Sequence, residues 1–286
     1  MIVTRIIGGL GNQMFQYAAG RSLALANGCQ LKLDISGFEN YGLRGYELGL
    51  FNIKAEIASK EVVSRLVGTK SRLASFVRKN LGIAKKTHFI ERDFSFDPVF
   101  FDVALPVYIE GYWQSYKYLD PFVAQIREEL TFLKPLAGRN AELAKQIAQI
   151  NAVSIHIRRG DYVTNQATNK VHGFVGVEYY KEAMQRILNE VDAPHFFVFS
   201  DDMAWARGNL GLVDNVTFVD LNTGAASYKD MRLMSLCKHH IIANSSFSWW
   251  GAWLNPSASK IVIAPRKWFA NGSKVVDLFP SGWTPL

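Results

Sequence analysis

Apolar residues along this 286-residue chain switch between two periods. Short apolar runs are each followed by a longer stretch in which apolar positions recur every three or four residues, so the pattern reads as strand then helix, repeated. Residues 2–7 (IVTRII) are the first run and stop at Gly8-Gly9-Leu10-Gly11. Phe15, Ala18, Ala19, Ser22 and Ala26 then share one helical face of mostly small side chains, which suits close packing on a sheet. Gly28 ends that helix, and residues 30–34 (QLKLD) form the next strand. Between 35 and 120 the chain is rich in Phe, Tyr and Gly and yields one helix near 58–80. Helices at 120–132 and 138–150 lead into a strand at 152–158, and Tyr180, Met184, Ile187, Leu188 and Val191 are in register on an amphipathic helix over 178–190. Strand 195–200, helix 203–209, strand 216–220, helix 227–237, strand 239–243, helix 246–254 and strand 260–265 complete the series.

Strands alternating with helices predict parallel sheets covered on both faces. The chain divides into two such units, 1–135 and 136–286. In open α/β sheets ligands bind beyond the carboxyl ends of the strands, so the loops that follow strands are where chemistry is expected.

With 49% hydrophobic residues the chain can bury a substantial core, and its longest apolar runs are strand-length, far short of a membrane span. The opening MIVTRIIGG runs straight into a strand, without the successive regions of a signal peptide, so a cytosolic location is expected. Cys29 and Cys237 are too far apart for a metal cluster or a redox pair and read as buried small hydrophobes. The net charge of +7 favours anionic partners. Its basic stretch, near 70–92, reads as a solvated face, with a membrane-surface contact left open.

Four loops carry candidate chemistry. Gly8-Gly9-Leu10-Gly11-Asn12-Gln13 joins a strand to a helix, which lets a ligand approach the backbone and aims a helix N-terminus at an anion. Met14 stands where a dinucleotide fingerprint needs its third glycine, while Asp34 lies at a plausible ribose distance. His156-Ile157-Arg158-Arg159-Gly160-Asp161 follows the strand at 152–158; guanidinium forks match phosphate oxygens at fixed charge. Arg158 shares its parity with His156 and is expected to face the ligand, and Arg159 to anchor the loop. The embedded Arg-Gly-Asp directly follows a buried strand, which argues against a displayed adhesion loop. In Ser200-Asp201-Asp202, Asp202 reads as a helix N-cap and Asp201 as a contact to a nucleoside. Asn244-Ser245-Ser246-Phe247-Ser248 starts a helix with more hydroxyls than one cap requires, and forms an anion cradle; Trp249 and Trp250 behind it are core. There is no Asp-x-Asp, HExxH, Cys-His cluster or Walker-type loop. A diphosphate bound here would be neutralised by arginine and a helix N-terminus.

GGLGNQMFQYA, GYWQSYKYL, HIRRGDY, FSDDMAW and ANSSFSWWGAWL, in that order, closely resemble the α-1,2-fucosyltransferases of glycosyltransferase family 11, over residues 1–265. The resemblance implies a GT-B-like α/β fold of two facing Rossmann-type domains with the nucleotide-sugar site in the cleft. It implies metal-independent, inverting transfer of L-fucose from GDP-β-L-fucose to the 2-hydroxyl of a terminal galactose, with no cofactor. Arg158 would clamp the β-phosphate with His156 beside the nucleotide, and Asp201 would lie near the guanosine. Asn244, Ser246, Phe247 and Ser248 would border the pyrophosphate, and Gly11, Asn12 and Gln13 would approach from the first domain. Asp161 is the best-placed carboxylate for the base, or else orients the arginines; Glu110 and His172 are outsiders, and a weak base or water would suffice for so good a leaving group. The aromatic run Tyr112, Trp113, Tyr116 and Tyr118 is expected to meet the acceptor glycan, though its rings are equally explicable as core.

Neither a nucleic-acid nor a protein partner is implied. A dinucleotide oxidoreductase would account for the first loop and Asp34 but leave HIRRGD and ANSSFS idle. A polyanion-binding module would account for the charge alone, and a fucosyltransferase of another linkage stays closest.

Overall fold

The computed structural model describes residues 1–39, 45–68, 87–160, 170, 173–210, 214–272 and 276–286. The chain forms two compact units, Met1–Leu133 with Val275–Phe279, and Lys134–Lys274 with Pro280–Leu286.

In the first unit β1 (Ile2–Arg5), β2 (Leu31–Asp34), β3 (Glu56–Ile57), β4 (His88–Ile90) and β5 (Val107–Glu110) form a parallel sheet in the order β3-β2-β1-β5-β4. Helix α1 (Leu10–Ala26) is buried along nearly its whole length. Its small residues have a use: a Cβ at Gly20 would fall 2.0 Å from Thr4 Oγ1, so only glycine lets the helix lie on β1. Ala26 departs from the expected buried face and is exposed. The helix expected near 58–80 appears as α2 (Lys60–Val67), ended by Gly68 at φ +86°; residues 69–86 lie outside the described part. Helix α3 (Val123–Glu129) docks on α1 through Glu129, which is 5% exposed. Its carboxylate takes a two-pronged contact from Arg21 at 2.7–2.9 Å and a hydrogen bond from the Tyr17 hydroxyl.

In the second unit β6 (Asn151–Ile157), β7 (Pro194–Ser200), β8 (Val216–Val219), β9 (His239–Ile241), β10 (Val262–Ala264) and β11 (Thr284–Pro285) form a parallel sheet. The order is β11-β10-β9-β6-β7-β8, the doubly wound arrangement of dinucleotide-binding sheets. Around it lie α4 (Arg139–Gln149), α5 (Val177–Glu190), α6 (Met203–Leu210), α7 (Tyr228–Leu236) and α8 (Ser246–Leu254). Val153, Ile155 and Ile157 of β6 pack with Tyr180, Met184 and Ile187 of α5, so the alternate positions Ser154 and His156 face the other side. There Ser154 Oγ meets His240 Nδ1 at 2.8 Å, and His240 Nε2 meets the Asn255 amide at 3.1 Å. Trp249 and Trp250 are fully buried and pack on each other and on Trp253. Among the described residues no helix is long and apolar enough to cross a membrane.

Candidate functional site

In the second unit the chain runs from β6 outward through β7 to β8, then returns to β9 on the other flank of β6. The carboxyl ends of β6 and β9 are therefore the point where strand order reverses, the place such sheets bind ligands. Both of the most chemical loops read from the sequence start there. The ring of His156, on β6, lies 5.6 Å from that of Phe247, on α8 after β9. His156 is 7% exposed, and its Nδ1 is buried without a hydrogen-bond partner among the described residues. Burial pushes its pKa down to about 4; Asp201 opposes that shift and Arg158 adds to it. A neutral imidazole with an unsatisfied nitrogen is left at the strand end.

Arg158 follows β6 directly. Its Nη1 donates to Asp201 Oδ2 at 2.7 Å, and Asp201 Oδ1 accepts from the Arg159 amide at 2.8 Å. Parallel register explains the pair. Ile157 stands opposite Ser200, so the next residues, Arg158 and Asp201, emerge side by side. Gly160 makes room for the carboxylate, since a Cβ there would lie 2.7 Å from Asp201 Oδ2. Asp201 thus fixes the arginine at the strand end. Arg159 has a different role: its guanidinium is 5.1 Å from the Phe174 ring and 4.3 Å from that of Trp205, and its Nε meets Asp202 at 3.3 Å. It anchors the loop, as its opposite parity requires. Asp202 caps α6 by accepting from the Trp205 amide at 3.1 Å. Asp161, the candidate base, and His172 lie outside the described residues.

After β9 the serine-rich loop opens the nine-residue α8 at Ser246, with the first-turn amides of a helix start. Ser248 turns its hydroxyl to the Ala243 and Ser245 carbonyls, at 3.3 and 3.1 Å. The Asn244 amide group donates toward the carbonyls of Trp268, at 3.2 Å, and Gly173, at 3.4 Å. Ser248 and Asn244 shape the loop, and Phe247 and the helix start line the strand ends.

The first unit has its own reversal point between β1 and β5. Gly8 takes φ +78° before α1 begins. Gly11 is buried within the first turn of that helix. Asn12 Oδ1 accepts from Gln114 Nε2 at 2.9 Å, joining the loops after the two strands. Gln13 is fully buried; its amide donates to the Gly8 and Gly45 carbonyls and accepts from the Glu47 amide. Its side chain ties two loops together, while Asn12 stays at the reversal point. Asp34, the candidate ribose ligand of the oxidoreductase reading, is 5% exposed and accepts from the Tyr108 hydroxyl at 2.7 Å and the Ser36 amide at 3.0 Å. Glu110 is held by His88 and Arg5, and those contacts keep its carboxyl below the usual range against the opposing effect of burial. That makes it a weak base.

The aromatic run divides by burial. Trp113 and Tyr118 are fully buried with Phe100, whereas Tyr112 is 38% exposed and Tyr116 half-buried. Of the two, Tyr112 offers the ring face. Gln114, Glu91 and the clearance at Gly160 were not singled out from the sequence. The first stands inside the quoted GYWQS motif, and the other two show only when strands are set in register.

Residues 1–285 match the family described as Glycosyl transferase family 11. The chain is 36% identical over 293 residues to the alpha-1,2-colitosyltransferase of Escherichia coli, covering 100% of this chain and 99% of that one. It is 26% identical over 257 residues to galactoside alpha-(1,2)-fucosyltransferase 1 of Lagothrix lagotricha, covering 86% of this chain and 63% of the relative. Among solved structures, a mutant of FUT1 from Arabidopsis thaliana in complex with GDP superposes with a TM-score of 0.52 at 12% identity. It covers 91% of this chain and 69% of that one, a likeness of fold, and the fold is GT-B-like.

Proposed function

The chain belongs to glycosyl transferase family 11, and from that premise we propose that it transfers L-fucose from GDP-β-L-fucose to the 2-hydroxyl of a terminal galactose. It is a glycosyltransferase; donor and acceptor are the proposal. The supporting observation is the reversal point of the second sheet, where Arg158, fixed by Asp201, stands with His156 and Phe247. A nucleoside diphosphate presents groups that suit them: phosphate oxygens for a forked cation and a helix start, and a polar edge for the imidazole nitrogen of His156.

As the bond from fucose to the diphosphate breaks, positive charge grows at the anomeric carbon and negative charge on the departing oxygen. Arg158 and the first-turn amides of α8 stabilise that oxygen more in the transition state than in the ground state, the difference that accelerates a reaction. Because Asp201 already orients the guanidinium, little reorganisation remains to be done during the step. Attack of the galactose 2-hydroxyl from the opposite face inverts the anomeric carbon, and the hydroxyl proton passes to a base or to water. No step calls for a divalent ion, since arginine supplies the charge.

A second donor has a specific observation in its favour: a relative 36% identical over the whole chain is named a colitosyltransferase. Colitose is fucose without its 3-hydroxyl, so both sugars present the same leaving-group chemistry. Purified protein incubated in EDTA with lactose and either GDP-fucose or GDP-colitose separates the readings. A faster α-1,2-linked fucosyl product is expected. A preference for colitose would move the donor assignment, and a product of another linkage would overturn the acceptor assignment.

A further inference from the structure

Glu91 follows β4 directly, yet its carboxylate serves the loop after β5. One oxygen accepts from the Tyr112 amide at 2.6 Å and the other from the Trp113 amide at 2.8 Å. Gly111 lies so close that a Cβ there would fall 2.4 Å from Glu91 Cβ. Trp113 takes the left-handed backbone region at φ +56°, rare for a residue with a side chain. Its ring is locked among Phe89, Phe100 and Tyr118. With its own amide and that of Trp113 held by one carboxylate, and the Trp113 ring anchored in the core, Tyr112 is turned outward. Its ring stacks on that of Phe94 at 6.4 Å and 24° between planes. On the far side of the same turn Gln114 holds Asn12 at the reversal point of this sheet.

A strained turn held by a half-buried carboxylate is a costly way to close a loop if closure is its only purpose. Burial pushes the Glu91 carboxyl up to about 7, with Asp93 adding to the shift and the two amides opposing it. What the turn gains is an exposed aromatic ring at the carboxyl end of β5, backed by the half-buried ring of Phe94. Such a surface suits the C–H face of a pyranose, whose edge hydroxyls need polar partners of the kind Asn12 and Gln114 carry.

We infer that Tyr112 and Phe94 form the platform for the terminal sugar of the acceptor, and that Glu91 is the positioning residue that holds it. This rests on the reading of the chain as a transferase to a sugar hydroxyl. Tyr112→Leu, Tyr112→Phe and Glu91→Ala are compared with wild type in GDP-fucose transfer to lactose, with separate KM values for donor and acceptor, and in calorimetric GDP binding.

Tyr112→Leu is expected to raise the lactose KM about tenfold, the scale of a lost aromatic stacking contact, while Tyr112→Phe stays within about twofold of wild type. Glu91→Ala is expected to follow Tyr112→Leu. Donor KM and GDP affinity hold throughout. Tyr112 is exposed, so its variants test the platform even if Glu91→Ala does not fold. Unchanged lactose KM in Tyr112→Leu overturns the platform and leaves the proposed function standing. Donor and acceptor KM rising together would show a general disturbance and overturn it equally. If wild type binds no GDP and transfers nothing, the functional reading fails and the platform with it.

Discussion

Asp201 was expected from the sequence to lie near the nucleoside, yet both its oxygens are engaged by Arg158 and the Arg159 amide. The two roles give different numbers. Replacing Asp201 by Asn removes a charge-assisted contact worth about 1.5–3 kcal/mol when well shielded. About a quarter of each side chain is open to solvent (21% and 26%), which takes the loss to the lower end, about 1.5 kcal/mol or roughly tenfold in kcat/KM. Arg158→Ala removes a donor to the leaving oxygen and is expected to lower turnover roughly a hundred- to thousandfold. If Asp201 acts through Arg158, the double variant is no slower than Arg158→Ala alone, a coupling of about 1.5 kcal/mol in a double-mutant cycle. The assay is initial-rate transfer from GDP-fucose to saturating lactose by wild type, both single variants and the double variant. Circular dichroism establishes that each is folded. Effects that multiply, leaving the double variant about ten times slower than Arg158→Ala, would refute the holding role and return Asp201 to direct contact with the nucleotide.

Gly160→Ala places a methyl against the Asp201 carboxylate and should reduce kcat/KM about as much as Asp201→Asn; a variant as fast as wild type would contradict that packing. Glu129→Gln leaves the Arg21 guanidinium without its carboxylate beside α3 and should lower urea stability by about 3 kcal/mol with GDP affinity unchanged. Burial holds the His240 pKa well below its ordinary value. Below about pH 6.5 the unfolded chain therefore binds a proton that the folded chain refuses, and stability falls as pH drops by about 1.4 kcal/mol per unit for this group. Asp230 has the opposite sign: burial raises its pKa to about 7, so its contribution to stability is lost as pH rises from about 4 to 7. Urea midpoints measured from pH 5 to 8 for His240→Asn and Asp230→Asn should differ from wild type with opposite slopes.

The second unit was legible because its central strands, β6 and β7, are seven residues long and largely apolar, as in HFFVFS, and α4 and α5 carry clear faces; the two-residue β11 went unread. The first unit was only half legible. Strands β3 and β4 have two and three residues, too few for a period to emerge, and β5 sits in an aromatic stretch where helix, strand and loop readings compete. The N-cap role of Asp202 and the anchoring role of Arg159 could be read from position and parity. The pairing of Arg158 with Asp201 could not. It depends on the register of two strands more than forty residues apart, although opposite charges one residue past each strand end are its trace. For Trp113 a sugar contact and a core role stood equally open, because composition cannot say which rings of an aromatic run face inward; its full burial in a left-handed turn decides for the core.

The most direct test of the account is calorimetric titration of GDP, in EDTA, into wild type and Arg158→Ala. Metal-independent binding by wild type, weakened at least a hundredfold by the substitution in a protein that remains folded, is the predicted result. Equal affinity in the two proteins would mean that Arg158 does not meet the diphosphate, and the reversal point of the second sheet would lose its assigned chemistry.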